Sequence, residues 1–252
     1  MPSRHAEEKL GALLVTGGSR GIGAAVVRRA SAAGYDVAFT YVRDRAAADA
    51  LIAEVAADGR RAIAIKADVA KEDDIVAAFL AADDAFGPLK ALVNNAGIIG
   101  AVCRAADVER TMLERLLAVN VTGSLLCARE AIRRMSTERG GDGGAIVNVS
   151  SRASGLGGAG TYVHYAASKG AIDTFTIGLA REVASEGIRV NAVSPGIIDT
   201  EIHAPGRLEA LAPTVPMRRA GSAAEVAEAI VWLLSAEASY VTGTIVEVSG
   251  GR

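Results

Sequence analysis

The stretch Ala12-Leu-Leu-Val-Thr-Gly-Gly-Ser-Arg-Gly-Ile-Gly23 decides the fold. A short apolar run enters a turn with glycines at 17, 21 and 23, and a helical pattern near residues 22–33 follows. Glycines there let the backbone bend sharply and approach an anion, while the free N–H groups and dipole of the helix start face it. The spacing Gly17-x-x-x-Gly21-x-Gly23 departs from the common GxGxxG pattern, but its strand, turn and helix setting is the one a pyrophosphate cradle requires.

Outward from this turn, short β-branched runs alternate with longer Ala-rich stretches. Strands are predicted at Ala12–Thr16, Asp36–Val42, Ala62–Lys66, Ala91–Asn94, Ala145–Ser150, Arg189–Ser194 and Thr244–Val248. Helices are predicted near 22–33, 45–58, 72–85, 107–137, 162–186 and 223–235. The alternation implies right-handed crossovers and a parallel sheet. Runs such as Ala-Leu-Leu-Val are apolar on both strand faces, which suits a sheet covered by helices on both sides. The expectation is therefore an α/β, doubly wound, seven-stranded fold of Rossmann type. One domain spans residues 1–252, with 1–10 a polar tail and about 197–222 a long loop over a substrate.

The bulk properties fit this reading. The chain has 252 residues, 50% hydrophobic and 22% charged, which excludes a disordered chain and supports one large core. A net charge of −2 gives no electrostatic case for nucleic acid or an anionic membrane. Cys103 and Cys127 read as reduced thiols of a cytoplasmic protein, and no cluster predicts a metal. Trp232 reads as core on an apolar helix face, and the two cysteines as small core residues.

At the end of the second strand, where an acidic residue would bind a ribose diol, the sequence has Tyr41-Val-Arg43. Arg43 with Arg20 of the glycine turn could make charge-assisted bonds to a ribose 2′-phosphate, so NADPH is preferred over NADH. The competing readings give Asp44 to a ribose diol or make it a helix N-cap. Farther on, Tyr165-Ala-Ala-Ser-Lys169 puts a phenol and an ammonium on one helical face. At about 5 Å their attraction is worth roughly 3 kcal/mol, which would bring the phenol toward neutral titration.

These motifs together, Thr16–Gly23, Asn94-Asn-Ala-Gly97, Asn120, Ser150-Ser151, Tyr165-x-x-x-Lys169 and Pro195-Gly196, resemble in order and spacing the short-chain dehydrogenases/reductases over nearly the whole chain. The Tyr41-Val-Arg43 ending is similar to NADPH-using members, including 3-oxoacyl-carrier-protein reductases. The resemblance implies hydride transfer between NADP(H) and a carbonyl or alcohol. Tyr165 would be general acid and base, Lys169 would tune it and hold the nicotinamide ribose, Ser151 would hold the substrate oxygen, and Asn120 would hold a water. Ser151 stands one residue farther from the tyrosine than is usual, which an extra residue in the loop 155–160 explains; Ser150 and Ser154 are the other serines nearby. The cofactor set would be Gly17, Ser19, Arg20, Gly21, Ile22, Gly23, Tyr41, Arg43, Asp68 and Val69 at adenine, Asn94, Ala96, Gly97, Tyr165, Lys169, Pro195, Gly196, Ile198 and Thr200.

Tyr162 and His164 flank this site without a lysine four residues on, and read as pocket lining. The loop's Ile197, Ile198, Ile202, Leu208, Leu211 and Met217 suggest an apolar substrate wall. A homotetramer is implied by the resemblance alone. The rival functions are NAD-linked alcohol or sugar oxidation, a non-catalytic NADPH-binding regulator, and carrier-protein-linked reduction, for which Arg104, Arg110, Arg129 and Arg133 would supply a basic surface.

Overall fold

The computed structural model describes residues 9–201 and 207–252. In chain order the elements are β1 (Gly11–Val15), α1 (Gly21–Ala33), β2 (Tyr35–Tyr41), α2 (Arg45–Ala57), β3 (Ala62–Lys66), α3 (Glu72–Phe86), β4 (Leu89–Asn94), α4 (Arg110–Leu117) and α5 (Ser124–Met135). Then follow β5 (Gly144–Val149), α6 (Ala153–Leu156), α7 (Val163–Val183), β6 (Ile188–Pro195), β7 (Ile198–Asp199), α8 (Arg207–Leu211), β8 (Gly221–Ser222), α9 (Ala223–Leu234) and β9 (Ile245–Val248).

Seven strands form one parallel sheet in the order β3-β2-β1-β4-β5-β6-β9. The order reverses direction between β1 and β4, and such a switch point opens a crevice at the carboxyl ends of the strands. The two-faced apolar strands explain the layers. Leu13, Val15, Val37, Phe39, Ala91, Val93 and Val147 point to one side and pack with Val26 and Val27 of α1, Leu51 and Val55 of α2 and Ile230 of α9. Leu14, Ala38, Leu92, Ile146 and Val190 point to the other and pack with Ile75 and Phe79 of α3, Ala131 of α5 and Leu179 of α7. Alternate residues of one strand thus serve opposite cores.

Three local expectations change. The helix predicted over 107–137 is two helices joined by a π-helical turn, Ala118–Gly123. At its end Gly123 meets the loop after β3 so closely that a Cβ would lie 2.6 Å from the carbonyl oxygen of Val69. Trp232 is not core but 44% exposed, because Val226, Ile230, Leu233 and Leu234 already fill the inward face of α9. The loop 197–222 carries the short parallel pair β7–β8, with Ile198 opposite Gly221, and Ser222 and Glu225 cap α9 reciprocally. Ile202 of that loop lies outside the described residues, as does most of the 1–10 tail.

Candidate active site

A cavity of about 1220 Å³ opens where the carboxyl ends of β1 to β6 meet α7, large enough for a dinucleotide and a second molecule. Its first wall is the glycine turn. Gly17 and Gly21 have φ of +64° and +53°, a region that side chains disfavour, and α1 starts at Arg20 without a side-chain cap or an acidic residue in its first turn. Polar neighbours hold the turn: Gly17 N–H donates to Thr40 Oγ1 at 2.9 Å, and Asn95 Nδ2 donates to the carbonyls of Thr16 and Gly17, both at 2.9 Å. Thr16 Oγ1 in turn accepts the N–H groups of Asn95 and Ala96, each at 3.0 Å. The first-turn N–H groups of α1 line the cavity with Ser19, and this donor set fits a diphosphate.

Beside the turn stand Arg20 and Arg43, both exposed, both in the cavity wall, and neither ion-paired among the described residues. Asp44 is used as the N-cap of α2, its Oδ1 accepting the Ala47 N–H at 2.9 Å. Asp68 and Val69 line the wall after β3.

At the opposite end α7 presents Tyr165 and Lys169. The Tyr165 hydroxyl shares a hydrogen bond with Ser151, and Ser151 Oγ also accepts the Ala153 N–H at 3.1 Å. Lys169 is buried, 4% exposed, and its Nζ donates to the carbonyl of Val149 at 2.7 Å. Burial lowers the ammonium to a pKa of about 8, opposed by Asp173. The expected drop in the phenol pKa is not found. Burial pushes Tyr165 up, the Ser151 hydrogen bond only partly opposes it, and Lys169 Nζ lies 5.9 Å from the ring centroid, with one of its N–H groups donated to the Val149 carbonyl. Ser150 also lines the cavity, and its hydroxyl donates to the carbonyl of Lys169 at 3.4 Å.

Of the sequence-predicted set, Gly17, Ser19, Arg20, Gly21, Ile22, Tyr41, Arg43, Asp68, Val69, Ala96, Gly97, Ser151, Tyr165, Lys169, Pro195, Gly196, Ile198 and Thr200 line one cavity. Gly23, Asn94 and Asn120 stand behind it. Gly23 backs against the carbonyl of Gly17, and Asn94 Nδ2 points into the interior, donating to Asn148 Oδ1 at 2.9 Å. Asn120 grips Ile98 with both ends of its amide at 2.8 Å and donates to Ser168 Oγ at 3.0 Å, so its side chain ties the π-helical turn to α7. Its carbonyl already accepts the Ser124 hydroxyl at 3.1 Å.

Residues the sequence reading passed over also line the cavity: Thr40, Asn95, Arg115, Arg152 and Arg252. Of the suggested lining, Tyr162, Ile197, Ile198 and Leu211 do so, whereas His164 is buried beside Gly100 and Met217 is 61% exposed. Arg110, Arg129 and Arg133 are engaged with Glu114, Glu72 and Glu130 and stay out of the wall, as does Arg104. No metal-holding cluster occurs among the described residues, and no helix there is long and apolar enough to cross a membrane.

Comparison with known proteins agrees with this geometry. The family model described as enoyl-(acyl carrier protein) reductase matches residues 17–252. The uncharacterized oxidoreductase YgfF of Escherichia coli K12 is 51% identical over 243 residues, 95% of this chain and 98% of that one. A blue fluorescent protein from a metagenomic library, solved in complex with NADPH, matches with a TM-score of 0.90 and 38% identity, covering 96% of this chain and 98% of its own. A short-chain dehydrogenase/reductase from Serratia marcescens BCRC 10948 matches with a TM-score of 0.91 and 36% identity over the same shares. With a switch-point crevice that joins a glycine turn to a Ser151, Tyr165 and Lys169 cluster, and with relatives that match it end to end, the chain belongs to the short-chain dehydrogenase/reductase family.

Proposed function

We propose that the protein is an NADP(H)-dependent oxidoreductase that interconverts a carbonyl compound and an alcohol, with Tyr165 as general acid and base. One observation carries the reading: a single cavity has the hydrogen-bonded pair Tyr165 and Ser151 at one end and, beside an uncapped helix start at the other, Arg20 and Arg43, which have no ion-pair partner among the described residues. The arginines suit a 2′-phosphate, and one carboxylate oxygen of Asp44 is engaged in capping α2. The neighbour solved with NADPH points to the same cofactor.

The bound nicotinamide supplies or accepts the hydride. The chain's residues handle the substrate oxygen and the proton. Burial keeps the Tyr165 phenol protonated at neutral pH, the state a general acid needs for carbonyl reduction. The Ser151 hydroxyl, which already meets the phenol, stabilises charge that develops on the same oxygen. Lys169, with a pKa of about 8, exchanges protons near neutrality and would hold the nicotinamide ribose. Asn120 acts as a brace between the π-helical turn and α7, and a water at this position would use its carbonyl oxygen.

A homotetramer and a cytoplasmic location belong to the same reading. Exposed Leu117 and Leu125 on one layer and Trp232 and Tyr240 on the other support assembly through both, and the two free cysteines suit a reducing compartment. The test is oxidation of NADPH, with NADH alongside, against ketones, 3-oxoacyl thioesters, sugars and quinones. Turnover of at least one carbonyl class with NADPH supports the reading; NADPH binding with no turnover of any of them favours a regulator.

A further inference from the structure

Beside Ser151 the cavity wall holds two cations that the chemistry above leaves unused. Arg152 lines the cavity directly after Ser151, its backbone N–H donating to the Pro195 carbonyl at 3.0 Å. Its Nε donates to the carbonyl of Arg252 at 2.7 Å, and its Nη1 pairs with Glu247 of β9. The Arg252 carbonyl also accepts the Ser249 hydroxyl at 3.1 Å, so the backbone that carries the Arg252 side chain is held from two sides. Arg252 lines the same cavity, and its guanidinium has no ion-pair partner among the described residues. The acid of the Arg152 pair stands apart: Arg152 is 22% exposed, whereas Glu247 is 51% exposed and lines a separate groove with Arg219 and Gly251. The carboxylates of the large cavity lie toward the cofactor. Asp44 and Asp68 follow β2 and β3, and Glu201 follows Thr200, whose methyl group lies 3.5 Å from where a Cβ on Gly21 would be.

Two guanidinium groups at one end of a cavity, with their only acid outside it, favour an anion at that end, and their planar, permanent charge suits a carboxylate. Because Arg152 directly follows Ser151, that anion belongs to a molecule whose carbonyl rests on the Ser151 hydroxyl. We propose that the substrate is a short oxo acid, with Arg152 and Arg252 as the specificity-determining residues that hold its carboxylate. Leu156 and Leu211 of the same wall would cover its carbon chain. The inference rests on the oxidoreductase reading and adds the substrate class to it. In reduction the carbonyl carbon gains the hydride of NADPH, and the C=O π pair moves to oxygen, which takes the Tyr165 proton. Tyr165 regains a proton from solvent, so one NADPH and one proton are consumed for each hydroxy acid and NADP⁺ formed. The carboxylate stays ionised and unchanged throughout.

The test compares kcat/KM, at saturating NADPH, for 2-oxopentanoate, 3-oxobutanoate and 4-oxopentanoate against the methyl ester of each. The wild type is expected to prefer at least one acid over its ester by about ten- to a hundredfold, the size of a hydrogen bond between charged groups. In Arg152→Met and Arg252→Met that ratio should fall toward unity, and the corresponding lysine variants should recover part of it. Glu247→Gln, which frees Arg152 of its acid, should keep the ratio or raise it. A wild type that reduces each ester as well as its acid overturns the proposal. An Arg152 that only braces the loop after Ser151 would lower the melting temperature and the turnover of acid and ester alike, and an unchanged ratio overturns the proposal as well. So does weaker NADPH binding with the ratio unmoved, since the arginines would then serve the cofactor. Should Arg152→Met unfold, Arg252→Met, which breaks no ion pair among the described residues, is read by the same ratio. Turnover of no carbonyl compound at all fails the oxidoreductase reading itself, whereas turnover of ketones or sugars without any oxo acid fails the substrate assignment alone.

Discussion

Replacing Gly23 with alanine adds one methyl group where the structure has no room for it. A Cβ there lies 2.3 Å from the Gly17 carbonyl oxygen, 2.5 Å from Asn95 Nδ2 and 3.0 Å from the Gly18 Cα. None of these is the loose end of a flexible side chain: two are backbone, and the Asn95 amide is held by the carbonyls of Thr16 and Gly17. Moving Asn95 aside gives up two hydrogen bonds of about 1 kcal/mol each, and crowding adds roughly 1–3 kcal/mol. The better helix propensity of alanine returns at most about 1 kcal/mol. The net cost is about 3 kcal/mol, which the chain relieves by loosening the turn or by unfolding earlier. If taken from binding, that is on the order of a hundredfold in Kd. Fluorescence titration with NADPH and a thermal melt together capture both routes. Gly170→Ala in α7, where a Cβ meets nothing within 4 Å, is the matched control and should be neutral or stabilising. Wild-type affinity and an unchanged melt for Gly23→Ala would refute the account of the turn.

Other consequences can be checked separately. Arg43→Asp should weaken NADPH binding by about ten- to a hundredfold, the loss of a charge-assisted hydrogen bond plus repulsion, with little change for NADH; equal losses for both would remove Arg43 from the 2′-phosphate. Burying the Lys169 cation destabilises the fold below a pH of about 8, its folded pKa, and the penalty fades as the pH rises toward the ordinary lysine value of 10.5. Denaturant melts of Lys169→Met and wild type should therefore show the variant's relative stability dropping by about 2–3 kcal/mol between pH 7 and pH 10, and a pH-independent difference would contradict the buried-cation assignment. The Cys127 thiol, buried and pushed up to about 12, should resist iodoacetamide at pH 8 in the folded protein, so that mass spectrometry finds no adduct there until the chain is unfolded.

The order of strands and helices was legible because each strand carries apolar residues of both parities, as Leu13 and Leu14 show, and the turn at Gly17 to Gly23 fixes where the ligand end of the sheet lies. Parity also explains the error at Asn94-Asn95. Strand β4 ends on Asn94, whose side chain falls on the inner face toward Asn148, and the next residue, past the pleat, holds the turn. The π-helical turn around Asn120 was not readable from a heptad-like pattern, although Gly123 amid the β-branched Val119, Val121 and Thr122 was a signal that the helix would break. The tyrosine pKa was misread because spacing along a helix gives proximity but not desolvation: the ammonium found a closer partner in the Val149 carbonyl. Arg115 and Asp68 are 47 positions apart and meet only through the fold, so no local pattern could pair them.

Turnover by Tyr165→Phe tests the central claim most directly. The variant removes one hydroxyl and its hydrogen bond with Ser151 while leaving the ring, Lys169 and the glycine turn in place. With any carbonyl substrate that the wild type reduces, NADPH should bind the variant within a few-fold of wild-type affinity. Its turnover should fall by about 10²–10⁴, the contribution of a positioned general acid. Turnover within a few-fold of wild type, with binding intact, would contradict the assignment of Tyr165 as the proton donor.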